Sequence, residues 1–318
     1  MIKRLFAVIA IFLLFPAVLT AGKSDEQKLL KLVPTGAKGV ISADLSAWLC
    51  LPVVQKKLAE SREIWKNYGF EITDIGAILF WGNEEKWALL TAYKKGVEPG
   101  KLFPAPYFSC VSSETGGVRV WRVSAQGTLP QRKRGTRQVS FQATVMQGNI
   151  LCILPDNADA AEIVKLMKSA CGVKYPAAAA GSLRGVLRNG KPPMPEKAVL
   201  SCRMTGKQKS DLEGFLSLTV GTPEEASQLC AQGMLMTNLL LVGAMQNDPQ
   251  LAADIVQCLK FASSQNNVSI KFSLKAELLE RIGKFVSEEA REKRSIRKNG
   301  KRRSPSRFVP EKNPAENK

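Results

Sequence analysis

The chain has 318 residues, is 45% hydrophobic, and carries 46 Lys and Arg against 28 Asp and Glu, a formal net charge of +18 with no histidine. The missing imidazole excludes Ser-His-Asp and Cys-His nucleophile activation, histidine general bases and His-ligated zinc. The basicity is partly a property of the C-terminus: residues 291–318 hold eleven Lys or Arg and three Glu, Lys3 and Arg4 add +2, and the body retains +8.

In chain order, Lys3 and Arg4 precede an apolar run, Leu5 to Leu19, broken by Pro16 and followed by Leu19-Thr20-Ala21. This is the pattern of a signal peptide over 1–21, and the run is short for a stable span. The mature chain is expected to begin near Gly22 or Lys23; left uncleaved, the segment would be an N-terminal anchor. The first cysteine is Cys50, so a lipid-modified cysteine directly after the run is closed.

A first α+β domain is expected over 22–174. "KGVISADLS" (Lys38 to Ser46) reads as a strand, and Pro52 opens an amphipathic helix through Val53, Val54, Leu58, Ile64 and Trp65. "DIGAILFWG" and "KWALLTAYK" are strands joined at Asn83-Glu84-Glu85. "VRVWRVS", "RQVSFQATVM" and "NILCILP" follow, then a helix from Ala158 to about Ala170. Residues 175–197 are rich in Ala, Gly and Pro with little periodicity and read as a linker.

The second α+β domain is expected over 198–290. "KAVLSCRMT" and "LEGFLSLTV" read as strands. Thr222-Pro223 with Glu225 is a helix start. The helix it opens is apolar all round in its later half, with Met234, Met236 and Met245, and ends at Asn247-Asp248-Pro249. With 12 residues from Met234 to Met245, including Thr237 and Asn238, it is too short and polar to span a bilayer, so it reads as a central buried helix. A short helix around Leu251 to Cys258, the strands "LKFASSQ" and "NVSIKFSL" and a helix from about Ala276 complete the domain. Hairpins beside helices argue for α+β with mostly antiparallel sheet. "SFQATVMQGNILCILPDNADAAEIVKLM" and "LKFASSQNNVSIKFSLKAELLERIGKFV" repeat the order strand, turn, strand, helix, which suggests two tandem halves. The segment 291–318, basic and poor in apolar residues, is expected to be disordered.

"LLKLVPTGAKGVISADLSAWLCLPVVQKKL" (Leu29 to Leu58) resembles the opening of a group of exported bacterial proteins. Those begin, after a signal peptide, with L-x-x-x-P-x-x-A, a strand ending in Asp-Leu and a helix entered through proline. The strand before "GTPEEASQL", and then "VSIKFSL", is similar to their second half. The resemblance implies export and two α+β halves; those proteins carry no assigned activity, so it brings no site residues.

Little of the chain points to catalysis. Seven cysteines (Cys50, Cys110, Cys152, Cys171, Cys202, Cys230, Cys258) include no C-x-x-C, so neither a zinc knuckle nor a redox pair is indicated, and most read as small buried hydrophobes. "GVLRNGKP" (Gly185 to Pro192) matches G-x-x-x-x-G-K but has Pro192 where a metal-holding hydroxyl belongs. The adjacent glutamates at 84–85, 224–225 and 288–289 read as turn, cap and surface charges. No catalytic, cofactor-binding or metal-ligating residues are assigned. Trp87 and Trp121, flanked by charged residues, are candidates for a ligand platform. "QRKRGTR" (Gln131 to Arg137) reads as an exposed basic loop. In the tail, Arg294, Arg297, Lys298, Lys301, Arg302, Arg303 and Arg307 are candidates for binding an anionic surface. Nucleic acid is the weakest target, for the chain reads as exported and shows no recognition motif.

The expected function is an exported, non-enzymatic binding or structural protein of the cell envelope, periplasmic or secreted. Its partner would be an envelope component or anionic polymer. The alternative is a carboxylate-dependent extracytoplasmic hydrolase with a cleft between the halves.

Overall fold

The computed structural model describes residues 23–45, 54–55, 58–59, 72–83, 85–105, 108–125, 140–176, 181–190, 195–205, 211–244 and 248–285. The signal segment, the basic loop 131–137 and the tail lie outside these residues, as do Trp48, Trp65 and Cys50. Of the helix expected after Pro52, 54–55 and 58–59 are described, and both pairs are helical.

Twelve described strands form one sheet: β1 (Gly39–Asp44), β2 (Ile75–Gly82), β3 (Trp87–Tyr93), β4 (Phe108–Thr115), β5 (Val118–Ala125), β6 (Ser140–Met146), β7 (Ile150–Pro155), β8 (Leu183–Arg188), β9 (Lys197–Thr205), β10 (Asp211–Thr219), β11 (Leu259–Ser264) and β12 (Asn267–Leu274). Their spatial order is β11-β12-β10-β9-β8-β1-β2-β3-β7-β6-β5-β4, and each described pairing is antiparallel. The helices are α1 (Lys23–Lys31), α2 (Pro99–Leu102), α3 (Ala160–Lys168), α4 (Pro223–Ala244), α5 (Pro249–Gln257) and α6 (276–285). The fold is therefore α+β on a large antiparallel sheet.

Two strands differ from the sequence reading. β8 lies inside the segment read as a linker and pairs with β1 on one edge and β9 on the other, so the sheet runs unbroken from strands before 175 to strands after 197. Gly185 in its middle permits this, because a Cβ there would already be 3.3 Å from Ile41 and 3.4 Å from Leu200. β4 is an edge strand, largely exposed, joined to β5 through Gly116-Gly117. Both glycines have positive φ, +57° and +72°, as a tight hairpin turn with the strands' own twist requires.

Each face of the sheet has its own cover. On one, α1 with the turn after it, and α3, bring Leu29, Leu32, Val33, Ile163, Val164 and Met167 onto Val40, Leu79, Trp81, Leu90, Cys152 and Leu154. On the other, Leu251, Ala252 and Ile255 of α5 and Leu278 and Leu279 of α6 join Ala43, Leu183, Cys202, Leu212 and Leu274. α4 lies on this second face, where Ala226 and Cys230 pack with Leu218 and Val268, and Gly233 faces the Phe261 ring. Its start is as expected at Thr222, whose hydroxyl accepts from the Glu225 N–H at 3.2 Å. The Glu225 carboxylate reaches back to the N–H of Gly221, one residue beyond the expected one.

The reading of α4 as buried is corrected. Met234, Leu235 and Leu239 are 47%, 60% and 59% exposed, because the helix meets the sheet along one side while its sequence is apolar on both. No helix among the described residues is long and apolar enough to cross a membrane.

Core and stripe should respond differently to truncation. Leu251→Ala should cost about 2–5 kcal/mol of unfolding free energy, through lost burial and the cavity left behind. Leu239→Ala should stay within about 0.5 kcal/mol. Denaturant unfolding of the two variants checks this; equal losses would mean that α4 is covered after all.

Candidate functional site

Antiparallel register places directly opposed residues on the same face. One row can therefore be followed across all twelve strands: Lys260, Lys271, Phe215, Ser201, Arg184, Ser42, Leu79, Leu90, Cys152, Thr144, Val120, Ser113. From Leu79 to Val120 the row is mostly apolar and lies under α1 and α3. From Ser201 to Lys260 it is polar and charged apart from Phe215, and none of the described helices packs its apolar side there; α4, α5 and α6 lie on the opposite face.

This bare part of the sheet is the candidate site. Beside the row Ser201, Phe215, Lys271, Lys260 runs a second one: Arg203, Glu213, Ser273 and Cys258. The eight residues, with Gly214 and Phe272, line an open concavity of about 550 Å³. Adjacent strands are about 4.8 Å apart, so each row spans about 14 Å.

The electrostatics of this surface are uneven. Arg203 grips the Glu213 carboxylate through Nε at 2.9 Å and Nη2 at 2.8 Å. At the next position outward Lys275 meets Asp211 at 2.8 Å, and this contact, with the Ala276 N–H, holds the Asp211 carboxyl below the usual range. Both carboxylates of the surface are thus taken up by cations. Lys260 and Lys271 stand directly opposite each other, with no carboxylate partner among the described residues. Opposed like charges weaken a strand pair. Burial, and then the Asp254 carboxylate, push the Cys258 thiol up from its ordinary value, so it faces the concavity protonated and is no activated nucleophile.

Where the bare surface meets the covered one, a polar cluster closes the boundary. Glu26 of α1 is buried and accepts from the Ser42 hydroxyl. It also takes Arg184 Nε at 3.1 Å and Nη2 at 2.5 Å. The Tyr175 hydroxyl lies 2.9 Å from Ser42 Oγ and 3.3 Å from the Arg184 carbonyl, and the Arg184 guanidinium sits 4.8 Å from the centre of the Tyr175 ring. A carboxylate this deep is tolerable only because all these donors converge on it.

The tryptophans named from the sequence lie elsewhere. Trp87 is partly exposed beside Phe80, ring centres 5.9 Å apart, and Trp121 is half-buried with Arg119 5.6 Å from its ring. Both are on the opposite face of the sheet, in β3 and β5, and neither approaches Lys260 or Lys271. The tail residues Arg294 to Arg307 lie outside the described residues. Six cysteines are described, all free: Cys152, Cys202 and Cys230 are buried, Cys110 and Cys258 partly so, and Cys171 is exposed. Among the described residues no group of three Cys, Asp or Glu could hold a metal ion.

Sequence reasoning missed Lys260, Lys271 and Phe215. The signal was present: "NVSIKFSL" alternates Val, Ile, Phe and Leu with Ser269, Lys271 and Ser273, the pattern of a strand wet on one side.

No protein-family model matches the chain, and no curated protein sequence does. Among solved structures it is similar to three crystal forms of the protein TP0453, at 10%, 10% and 11% identity with TM-scores of 0.41, 0.41 and 0.44. The matches cover 80–81% of this chain and 96–97% of those chains.

Two outcomes follow from the boundary cluster. Glu26→Ala should cost about 2–3 kcal/mol, less than a fully buried pair because 22% of the Arg184 side chain is exposed; urea unfolding measures it. The second concerns alkaline pH. Burial above all raises the Tyr175 phenol, and burial with the Asp74 carboxylate pushes Tyr93 up to about 12. A phenol kept neutral by folding stabilises fully below its unfolded value of about 10, and that contribution is lost as pH climbs through the folded value. Unfolding midpoints should fall as pH rises from about 10 towards 12, and Tyr175→Phe should flatten the fall; an unchanged slope contradicts it.

Proposed function

We propose that the chain is an exported, non-enzymatic binding protein of the cell envelope, built of two tandem α+β halves, whose partner is anionic. The observation that carries the reading is the opposed pair Lys260 and Lys271 on an uncovered, concave sheet surface. Two like charges held face to face raise the free energy of the empty protein, and an anion placed between them lowers it.

Charge elsewhere supports the same reading. The tail residues Arg294, Arg297, Lys298, Lys301, Arg302, Arg303 and Arg307 tether the protein to an anionic surface, adding a long-range, salt-sensitive attraction to the local site. The apolar run Leu5 to Leu19 after Lys3 and Arg4 supports export by a signal peptide. The plan of two halves draws support from strand order. Outward from the centre the strands run β1-β2-β3-β7-β6-β5-β4 on one side and β8-β9-β10-β12-β11 on the other. The hairpin in the fourth and fifth places, β6-β7 or β11-β12, is followed on each side by a helix, α3 or α6.

Retention on an immobilised anionic polysaccharide at low and moderate salt tests the function. Deleting residues 291–318 should lower the eluting salt concentration, and Lys260→Glu with Lys271→Glu in the full chain should lower it as well. Retention unchanged by both alterations would overturn the reading.

A further inference from the structure

The bare sheet surface offers more than positive charge. Phe215 stands next to Lys271 in the same row and lines the concavity, with Ser201 on its far side. Ser273 and the Arg203-Glu213 pair form the parallel row one step along the strands. The surface therefore combines four chemistries within about 14 Å: a flat apolar ring, a pair of unneutralised ammonium groups, a hydroxyl, and a carboxylate that can still accept through its second oxygen.

Inorganic anions have no use for the ring. A neutral sugar has no use for the two lysines. A flat apolar acid would make no use of the Ser273 hydroxyl or of the second Glu213 oxygen. A sugar ring bearing an anionic group uses all four: its apolar face lies on the aromatic ring, its hydroxyls reach Ser273 and Glu213, and its charge falls about one strand spacing away, over the lysine pair. The concavity of about 550 Å³ is of the size that holds one or two sugar rings.

We infer that this surface is a binding site for an acidic sugar unit, with Phe215 as the stacking platform and Lys260 and Lys271 as the anion clamp. The inference rests on the anionic-partner reading and names the ligand class for it. The site is shallow and open, so a single unit binds weakly and discrimination comes from matching the ring to the charge.

The test is calorimetric titration of the full-length protein with digalacturonate, glucose 1-phosphate, the dimethyl ester of digalacturonate and inorganic phosphate. The first two separate a carboxylate-bearing from a phosphate-bearing sugar, and either suffices. Expected is binding of at least one acidic sugar at least tenfold tighter than of the neutral ester and of inorganic phosphate. Lys260→Gln with Lys271→Gln should weaken it tenfold or more, and Phe215→Leu, which keeps apolar volume but removes the aromatic face, should weaken it several-fold. Circular dichroism and unfolding midpoints confirm that each variant is folded.

If acidic sugars bind no better than inorganic phosphate, or Phe215→Leu changes nothing, the sugar inference fails while the anionic-partner reading stands. If no anion responds to the lysine substitutions, the site itself is refuted, and the polysaccharide retention experiment decides separately whether the wider function survives.

Discussion

The ladder between β1 and β8 is the contact on which the rest of the architecture depends. It joins five residue pairs, from Gly39 opposite Leu187 to Ala43 opposite Leu183, between strands separated by more than a hundred residues. On one side of it the carboxylate of Glu26, brought in by α1, binds Arg184 of β8 and Ser42 of β1. Leaving the buried Glu26 carboxylate without these donors would cost about 3–5 kcal/mol. The cluster therefore fixes how α1, β1 and β8 meet, and with that it fixes where the apolar cover on this face stops. Beyond Arg184 the sheet must make its own peace with water, and it does so with serine, lysine and paired charges.

Much of this was legible in the sequence. Strands with steady alternation, such as "NVSIKFSL", or with long apolar runs, such as "DIGAILFWG", stand where periodicity put them, and the Thr222 helix start was visible as a cap. β8 was not legible, because its six residues include a glycine and two arginines that read as a loop. Only the tertiary structure shows that Gly185 is a close contact and Arg184 the partner of a buried carboxylate. β4 was hidden for the opposite reason: an exposed edge strand needs no apolar face. For α4 composition misled, since an apolar sequence reports the capacity for burial and not the presence of a neighbour on both sides.

The candidate site was half legible. The turn at Gln265-Asn266 sets Ser264 opposite Asn267, and counting back from it places Lys260 opposite Lys271. A hairpin read this way would have exposed the charge conflict. That Phe215 joins the same row depends on β10 pairing with β12 across 47 intervening residues, a long-range pairing that local pattern does not encode.

An uninterrupted sheet also has a mechanical meaning. Because one edge of β8 belongs to β1 and the other to β9, neither group of strands can melt away without stripping a central strand of half its main-chain partners. The two groups should lose their structure in one cooperative step. A disturbance at the lysine-bearing end then reaches α1 through a stiff ladder of peptide groups, not through a hinge.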